Sequence, residues 1–295
     1  MDDNASHQAK IYIGTSGWSY PKGEGTWKGY FYPKGKINEL EYYSQFFNTV
    51  EVNSSFYRPP NPGYVYNWAR SVPKDFLFTV KLWQKFTHPK MYKESTGEEA
   101  IISQEDVGTF KRSIEPLMKY GKLGALLAQF PPSFKNDSFG QQIIFAVIKT
   151  FNQHRLAIEL RHRSWSDDEN TSSMLRSHNV AWVQIDEPKF SSSIAAELPI
   201  TSDMAYFRFH GRNAEMWWKG DSETRYKYLY SPDEIDELAG RVKSTAQVTR
   251  LLFVLFNNHW QGYAPRNAAD TMKKLELPMR EPFQTELEED GTGYR

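Results

Sequence analysis

Three stretches of this chain carry one pattern, and that pattern narrows the folds open to it. They are Val50-Glu51-Val52-Asn53, Leu156-Ala157-Ile158-Glu159-Leu160-Arg161, and Met204-Ala205-Tyr206-Phe207-Arg208-Phe209-His210. A strand sends successive side chains to opposite faces. Each stretch therefore reads as a strand with one apolar face and a second face that ends in charge, amide or imidazole. Between such strands lie helix signals. Asn38 with Glu41, Ser166 with Glu169, and Ser231-Pro232 look like helix starts. So does Asn61-Pro62, an N-cap followed by proline at the first helical position. Val107, Phe110, Ile114 and Leu117 have helical spacing, and Pro116 should kink or shorten that helix.

Taken in order, strands are expected at 11–13, 47–52, 76–81, 124–129, 156–159, 180–184, 204–210 and 251–256. Helices are expected over about 38–47, 62–72, 107–117, 139–151, 166–179, 232–244 and 265–275. The connection 187–203 shows no helical pattern. Alternation of strand and helix argues for a parallel sheet with crossover helices. Eight such units in 295 residues fit a single-domain α/β fold, the TIM (β/α)8-type barrel. The rival is an open doubly wound sheet with a glycine-rich phosphate turn after strand one. Gly14-Thr15-Ser16-Gly17 lacks that spacing. The domain is expected over 11–280, with a flexible N-terminus at 1–10 and an acidic tail at 281–295.

Charge and composition remove several classes. Lys+Arg and Asp+Glu both total 36, so no global field draws nucleic acid or an anionic membrane. A nucleic-acid partner then needs a local patch. There is no cysteine, which excludes disulfides, thiolate metal sites and a cysteine nucleophile. No apolar run reaches membrane-spanning length and no signal peptide is evident, so a cytoplasmic protein is expected. Aromatic residues make up 15%, rich for a globular chain.

In a barrel, active sites form at the C-terminal ends of the strands. If Val50/Val52, Phe78/Val80, Ile158/Leu160 and Phe207/Phe209 face helices, the opposite file faces the interior. It supplies Glu51, Asn53, Lys81, Gln129, Glu159, Arg161, Arg208 and His210. Asp186 and Arg212 follow strands six and seven, and Asn257 or Asn258 closes the ring. Trp18 and Tyr57 lie on the rim with Tyr20, Trp217 and Trp218. These aromatics either stack on a base or sugar, or anchor long loops.

Buried charges must be paired. One reading is thus a ring of salt bridges that plugs the barrel. The other is a polar pocket for a charged ligand. Glu51, Glu159 and His210 are the catalytic candidates. Asn53, Tyr57, Lys81, Gln129, Arg161, Asp186, Arg208, Arg212, Asn257, Asn258 and Trp18 are the candidates for binding substrate. The two glutamates could split acid and base roles or form a glycosidase pair. The cations suit phosphate or carboxylate better than neutral sugar. Glu51, Glu159, Asp186, His210 and His88 are ligand types for zinc or manganese. No HExxH or paired-histidine spacing supports them, and the nearby cations oppose a metal. No metal or other cofactor is expected. No GxSxG marks a serine nucleophile.

The motifs together resemble a known family. They include Gly14-Thr15-Ser16-Gly17-Trp18-Ser19-Tyr20, Phe31-Tyr32-Pro33, Val50-Glu51-Val52-Asn53, Thr87-His88, Gln129-Phe130-Pro131-Pro132, Glu159-Leu160-Arg161, Phe209-His210-Gly211-Arg212 and Phe256-Asn257-Asn258. In this order, over about 11–275, they resemble the YecE-like family, also called domain of unknown function 72. The resemblance implies a TIM barrel and no particular activity. From the residues, the expectation is an enzyme acting on a small anionic substrate, with hydrolysis as the first reaction class. The alternative is a non-catalytic binder of a nucleotide or nucleic-acid end.

Overall fold

The computed structural model describes residues 9–221 and 224–279. The acidic segment 281–295 and most of the N-terminal segment 1–10 lie outside the described residues. In chain order the main elements are β1 (Lys10–Ser16), α1 (Glu39–Tyr43), β2 (Thr49–Val52), α2 (Pro62–Ser71), β3 (Leu77–Lys81), α3 (Gln84–Thr87), α4 (Pro89–Thr96), α5 (Gln104–Lys119) and β4 (Leu123–Gln129). They continue with α6 (Ser138–Phe151), β5 (Leu156–Glu159), α7 (Glu169–Ser177), β6 (Ala181–Trp182), β7 (Gln184–Asp186), β8 (Met204–Phe209), α8 (Pro232–Ala246), β9 (Leu251–Phe256) and α9 (Tyr263–Lys274).

All strand pairings are parallel, in the order β6-β5-β4-β3-β2-β1-β9-β8-β7. The two ends of that order, β6 and β7, are halves of one segment broken at Val183. β6 pairs with β5 and β7 with β8, so the ring is completed through this segment. The result is a nearly closed TIM-type barrel. The expected eight strands become nine because the sixth is split.

The outward file is apolar as alternation requires. Val50, Val52, Phe78, Val80, Ile158, Leu160, Phe207 and Phe209 are all buried. Each such side chain is worth about 1.5–3 kcal/mol when fully buried. On α5, Phe110, Ile114 and Leu117 are buried, and Phe110 meets the rings of Phe86 and Phe151. Gly14 marks a close approach of β1 and β2: a Cβ there would lie 2.0 Å from the Thr49 carbonyl oxygen.

Most helix starts form as their caps dictate. The Asn38, Asn61 and Ser231 side chains accept from the backbone N–H groups of Glu41, Gly63 and Glu234, and Ser231 with Glu234 makes a full capping box. Three expectations need correction. α5 runs on through Pro116 to Lys119, so the proline neither ends nor shortens it. α7 is capped by Asp168, which accepts from Asn170 N–H. Ser166 instead donates to the Arg163 carbonyl, within the turn before the helix. α1 stops at Tyr43, and the chain to Phe47 continues as hydrogen-bonded turns. The loop after β3 also gains α3 and α4, with His88 at their junction.

Candidate functional site

The register shows which side chains meet inside the barrel. Residues paired across parallel strands share a face, so Ser16, Glu51 and Thr79 face together, as do Gln129 and Glu159. Arg208 pairs with Ile185 and Leu255. Its guanidinium holds Glu51 bidentately, with Nε 3.0 Å from Oε2 and Nη2 2.7 Å from Oε1. Its Nη1 donates to Glu159 Oε2 at 2.6 Å. Arg161 Nε takes the other Glu159 oxygen at 2.6 Å. Tyr206 Oη lies 2.7 Å from Glu51 Oε2 and 2.8 Å from Thr79 Oγ1. With one proton it donates to the carboxylate and accepts from the threonine.

This charged layer is closed to water: Glu51, Glu159 and Arg208 are at most 2% exposed. Burial alone would push the Glu159 carboxyl up, but Arg161 and Arg208 outweigh it and hold it well below the usual range. Burial, then the Glu51 charge, raises Tyr206 well above an ordinary phenol. The layer has the form of the salt-bridged plug.

Above it lies a second shell of less fully paired groups. Arg161 Nη2 is 3.1 Å from His210 Nε2. A guanidinium has no acceptor, so Nε2 accepts and the proton sits on Nδ1. The Asn257 carboxamide is 2.9 Å from Nδ1, and that tautomer requires it to offer its oxygen there. Burial, then Arg161 and Arg208, keeps His210 well below the usual imidazole range, so the ring is neutral. Arg161 Nη1 also lies 3.1 Å from Glu187 Oε2. The geometry makes no hydrogen bond, and that oxygen is buried without one. Burial raises the Glu187 carboxyl despite Arg161.

Lys81 ends β3 at this level. Its ammonium sits 4.0 Å from the centre of the Phe56 ring, and among the described residues it has no carboxylate partner. Burial, helped by Arg208 and resisted by Glu51 and Glu159, draws it down to about 7. Beside it His88 packs edge-on against Phe56. Burial, then Lys81 and Arg161, lowers His88 to about 3.

Two more polar atoms at the strand ends are buried without a partner, Ser16 Oγ and Asn53 Oδ1. Asn53 Nδ2 donates to the Ser16 carbonyl. Gln129 donates to the Phe130 carbonyl. An aromatic wall stands over the mouth. Tyr20 stacks on His259 at 4.5 Å, and Tyr226 lies 5.1 Å from His259 and 6.2 Å from His210. Trp217 packs against both His210 and Tyr226.

The remaining sequence candidates stand elsewhere. Asp186 pairs with Phe209, so it faces the helices. There it accepts from Tyr230 and Arg212, and Arg212 also reaches Glu234 and Glu237 of α8. Asn258 turns outward to the Tyr228 carbonyl and Asn267. Tyr57 is largely exposed. Trp18 packs edge-on against Trp68 of α2, in an outer groove beside α1. Glu187, Tyr226 and His259 are mouth residues that the site candidates do not include, and His88 entered them only as a metal-ligand type. Glu187 is one residue past Asp186 and so on the opposite face, and the short apolar signal there does not fix which of the two points inward. The others come from loops, which carry no parity.

The profile described as "Protein of unknown function DUF72" matches residues 12–290. UPF0759 protein YunF of Bacillus subtilis is 30% identical over 284 residues, 90% of this chain and 95% of that protein. UPF0759 protein YecE of Escherichia coli K12 is 30% identical over 125 residues, 42% of this chain and 39% of that one. Two crystal structures superpose closely. One is the DUF72 family protein TM1631 of Thermotoga maritima, with TM-score 0.78, 37% identity, and 90% and 99% of the two chains covered. The other is EF0366 of Enterococcus faecalis, with TM-score 0.77, 26% identity, and 92% and 100% covered. The chain is a member of the DUF72 family, whose function is unknown.

Proposed function

We propose that the barrel mouth binds a small phosphate- or carboxylate-bearing substrate and that the protein is an enzyme acting on it. The observation that carries this reading is Lys81: an ammonium with no carboxylate partner among the described residues, held at a mouth where the oxygens of Glu51 and Glu159 are taken by arginine and tyrosine. An anion would supply the missing counter-charge and restore the lysine toward its ordinary protonation. Arg161 stands beside it, with one face shared by Glu159 and the other by the poorly engaged Glu187. The orphan oxygens of Ser16 and Asn53 add places for a hydroxyl donor, since buried polar atoms are ordinarily satisfied.

In this reading Lys81, Arg161, His210, Asn257 and His88 face the ligand. Glu51, Glu159 and Arg208 fix the guanidinium of Arg161 and hold the mouth open. His210, neutral with Nε2 as acceptor, is the proton-transfer group. Hydrolysis of a phosphate or carboxylate derivative is the reaction class to test first.

The test is calorimetric titration with inorganic phosphate, sugar phosphates and nucleotides, in parallel with neutral sugars. Phosphorylated ligands are expected to bind and neutral sugars not. Lys81→Met should weaken binding about tenfold or more, roughly 1.4 kcal/mol. Affinity should rise as pH falls from 8 to 6, because the anion favours the protonated lysine. Equal binding of charged and neutral ligands, or an unchanged Lys81→Met at intact fold, would leave the salt-bridged plug as the whole account. A second reading, non-catalytic capture of a nucleotide, draws on the ring wall of Tyr20, Tyr226 and Trp217. Binding of nucleotides with no product released would favour it.

A further inference from the structure

Lys81 differs from Lys85, Lys122 and Lys189 in what its nitrogen meets. Lys85 is paired with Asp106 at 2.9 Å. Lys122 donates to the Val72 and Pro73 carbonyls. Lys189 reaches the Ile194 carbonyl at 3.4 Å. Each has an acceptor that occupies its nitrogen. Among the described residues Lys81 has only the face of Phe56.

A lysine is a nucleophile only as the neutral amine, and only if its lone pair is not engaged. Among the described residues no acceptor holds the Lys81 nitrogen, and its burial beside Phe56 favours the neutral form. The two carboxylates nearest in charge, Glu51 and Glu159, spend their oxygens on Arg208, Tyr206 and Arg161. The Phe56 ring lies along one side of the amine and offers no acceptor stronger than its π face. The residue ends a strand of the barrel, so its nitrogen is presented at the mouth rather than on a mobile loop.

We propose that Lys81 is a covalent nucleophile: its amine condenses with the carbonyl carbon of a small aldehyde or 2-oxo acid that carries an anionic group, giving an imine. This rests on the anion-binding reading of the same mouth, with Arg161 taking the anionic group. The nitrogen lone pair attacks the carbonyl carbon and the C=O π electrons move to oxygen, which takes a proton. The nitrogen loses a proton to give the carbinolamine. The hydroxyl then takes a second proton, the C–O bond breaks as water leaves, the nitrogen lone pair completes the C=N bond, and the nitrogen gives up its remaining proton. No oxidant or reductant is consumed.

Burial is the largest influence on the amine and favours its neutral form; of the charged groups around it, Arg208 and Arg161 act the same way and Glu51 and Glu159 oppose them. His88, which feels the lysine's charge, is itself neutral. With the ammonium drawn down to about 7, half the amines are ready to react near neutrality, where an ordinary surface lysine is almost wholly protonated.

The full chain is incubated with glyoxylate, pyruvate or glycolaldehyde phosphate, reduced with sodium borohydride, and mapped by peptide mass spectrometry. The expected result is one adduct, on Lys81, that falls to background in Lys81→Arg. Its rate should increase as pH rises through 7, opposite to the pH trend for binding inorganic phosphate. Adducts spread over surface lysines equally in wild type and variant overturn the proposal. If no adduct forms while inorganic phosphate still binds, the imine is wrong and the anion site stands. If neither occurs, both readings fail. If Lys81→Arg does not fold, the adduct map of the wild-type protein decides alone.

Discussion

Arg208 is the residue on which the barrel interior turns. It joins β2 to β5 across the interior through Glu51 and Glu159. Removing one partner of a buried ion pair leaves an uncompensated charge, which costs about 3–5 kcal/mol. Arg208→Ala is therefore expected to lower unfolding free energy by about that amount in urea melts. Arg208→Met combined with Glu51→Gln and Glu159→Gln should recover part of it, since no buried charge of the triad is then left alone. A triple variant less stable than the single would sink this account. The histidines predict an acid limit. His88 and His210 stay neutral in the fold while the unfolded chain takes up their protons below about 6.5. Folded values are depressed, so the stability they contribute is complete above about 6.5 and is lost as pH falls. For His88 the window runs from about 6.5 down to about 3. Each contributes a slope of up to about 1.4 kcal/mol per pH unit in that window. His88→Gln should shallow the slope measured between pH 6 and 4 by one such step, and an unchanged slope would remove His88 from the account. Glu51, Glu159, Arg161 and Arg208 were legible as a converging set because strand parity is strict. Asp186 and Glu187 show the limit: one step in register exchanges the inside for the outside, and the apolar signal around them is too short to fix it.

At the level of the single element, local chemistry read from sequence succeeded where a cap faces solvent and decides alone. Asn61, Asn38 and Ser231 are such cases. At Ser166 two starts compete, and the aspartate two residues on takes the cap because Ser166 is held in the preceding turn. Pro116 shows tertiary packing overruling propensity. It removes one N–H donor and crowds the carbonyl four residues earlier. Yet Phe110, Ile114 and Leu117 bury one face of α5 on both sides of it, and that burial outweighs the defect. Pro116→Ala is accordingly expected to stabilise the protein by about 1–2 kcal/mol, less than the full proline penalty because the unfolded chain also gains freedom. Thermal unfolding checks this, and a lower midpoint would show that the ring itself packs usefully. Gly14→Ala should act the other way. With the Thr49 carbonyl only 2.0 Å from the new carbon, β1 and β2 must separate, and the variant is expected to unfold or lose several kcal/mol. Circular dichroism and urea melts would show it, and wild-type stability would mean that the two strands separate there without strain.

Across the whole molecule, no helix of the described residues is long and apolar enough to cross a membrane. Equal positive and negative totals give the chain no net field. The order of strands and helices made the barrel legible before any contact was known, whereas the long loops that roof the mouth were not, since no period constrains them. The break at Val183 has a consequence for motion. A closed ring of strands resists breathing because every strand is gripped on two flanks. β6 is gripped by β5 alone and β7 by β8 alone, so the hoop has a clasp rather than a weld. Local opening follows the weakest grip. Backbone amides at 181–186 should therefore exchange with deuterium before those of β8 and β9, and equal protection across all three would show that the clasp is as firm as the rest. Glu187 sits immediately beyond the clasp, facing Arg161. When the hoop slackens, that carboxylate is free to swing away from Arg161, and the mouth becomes, for that interval, more positive.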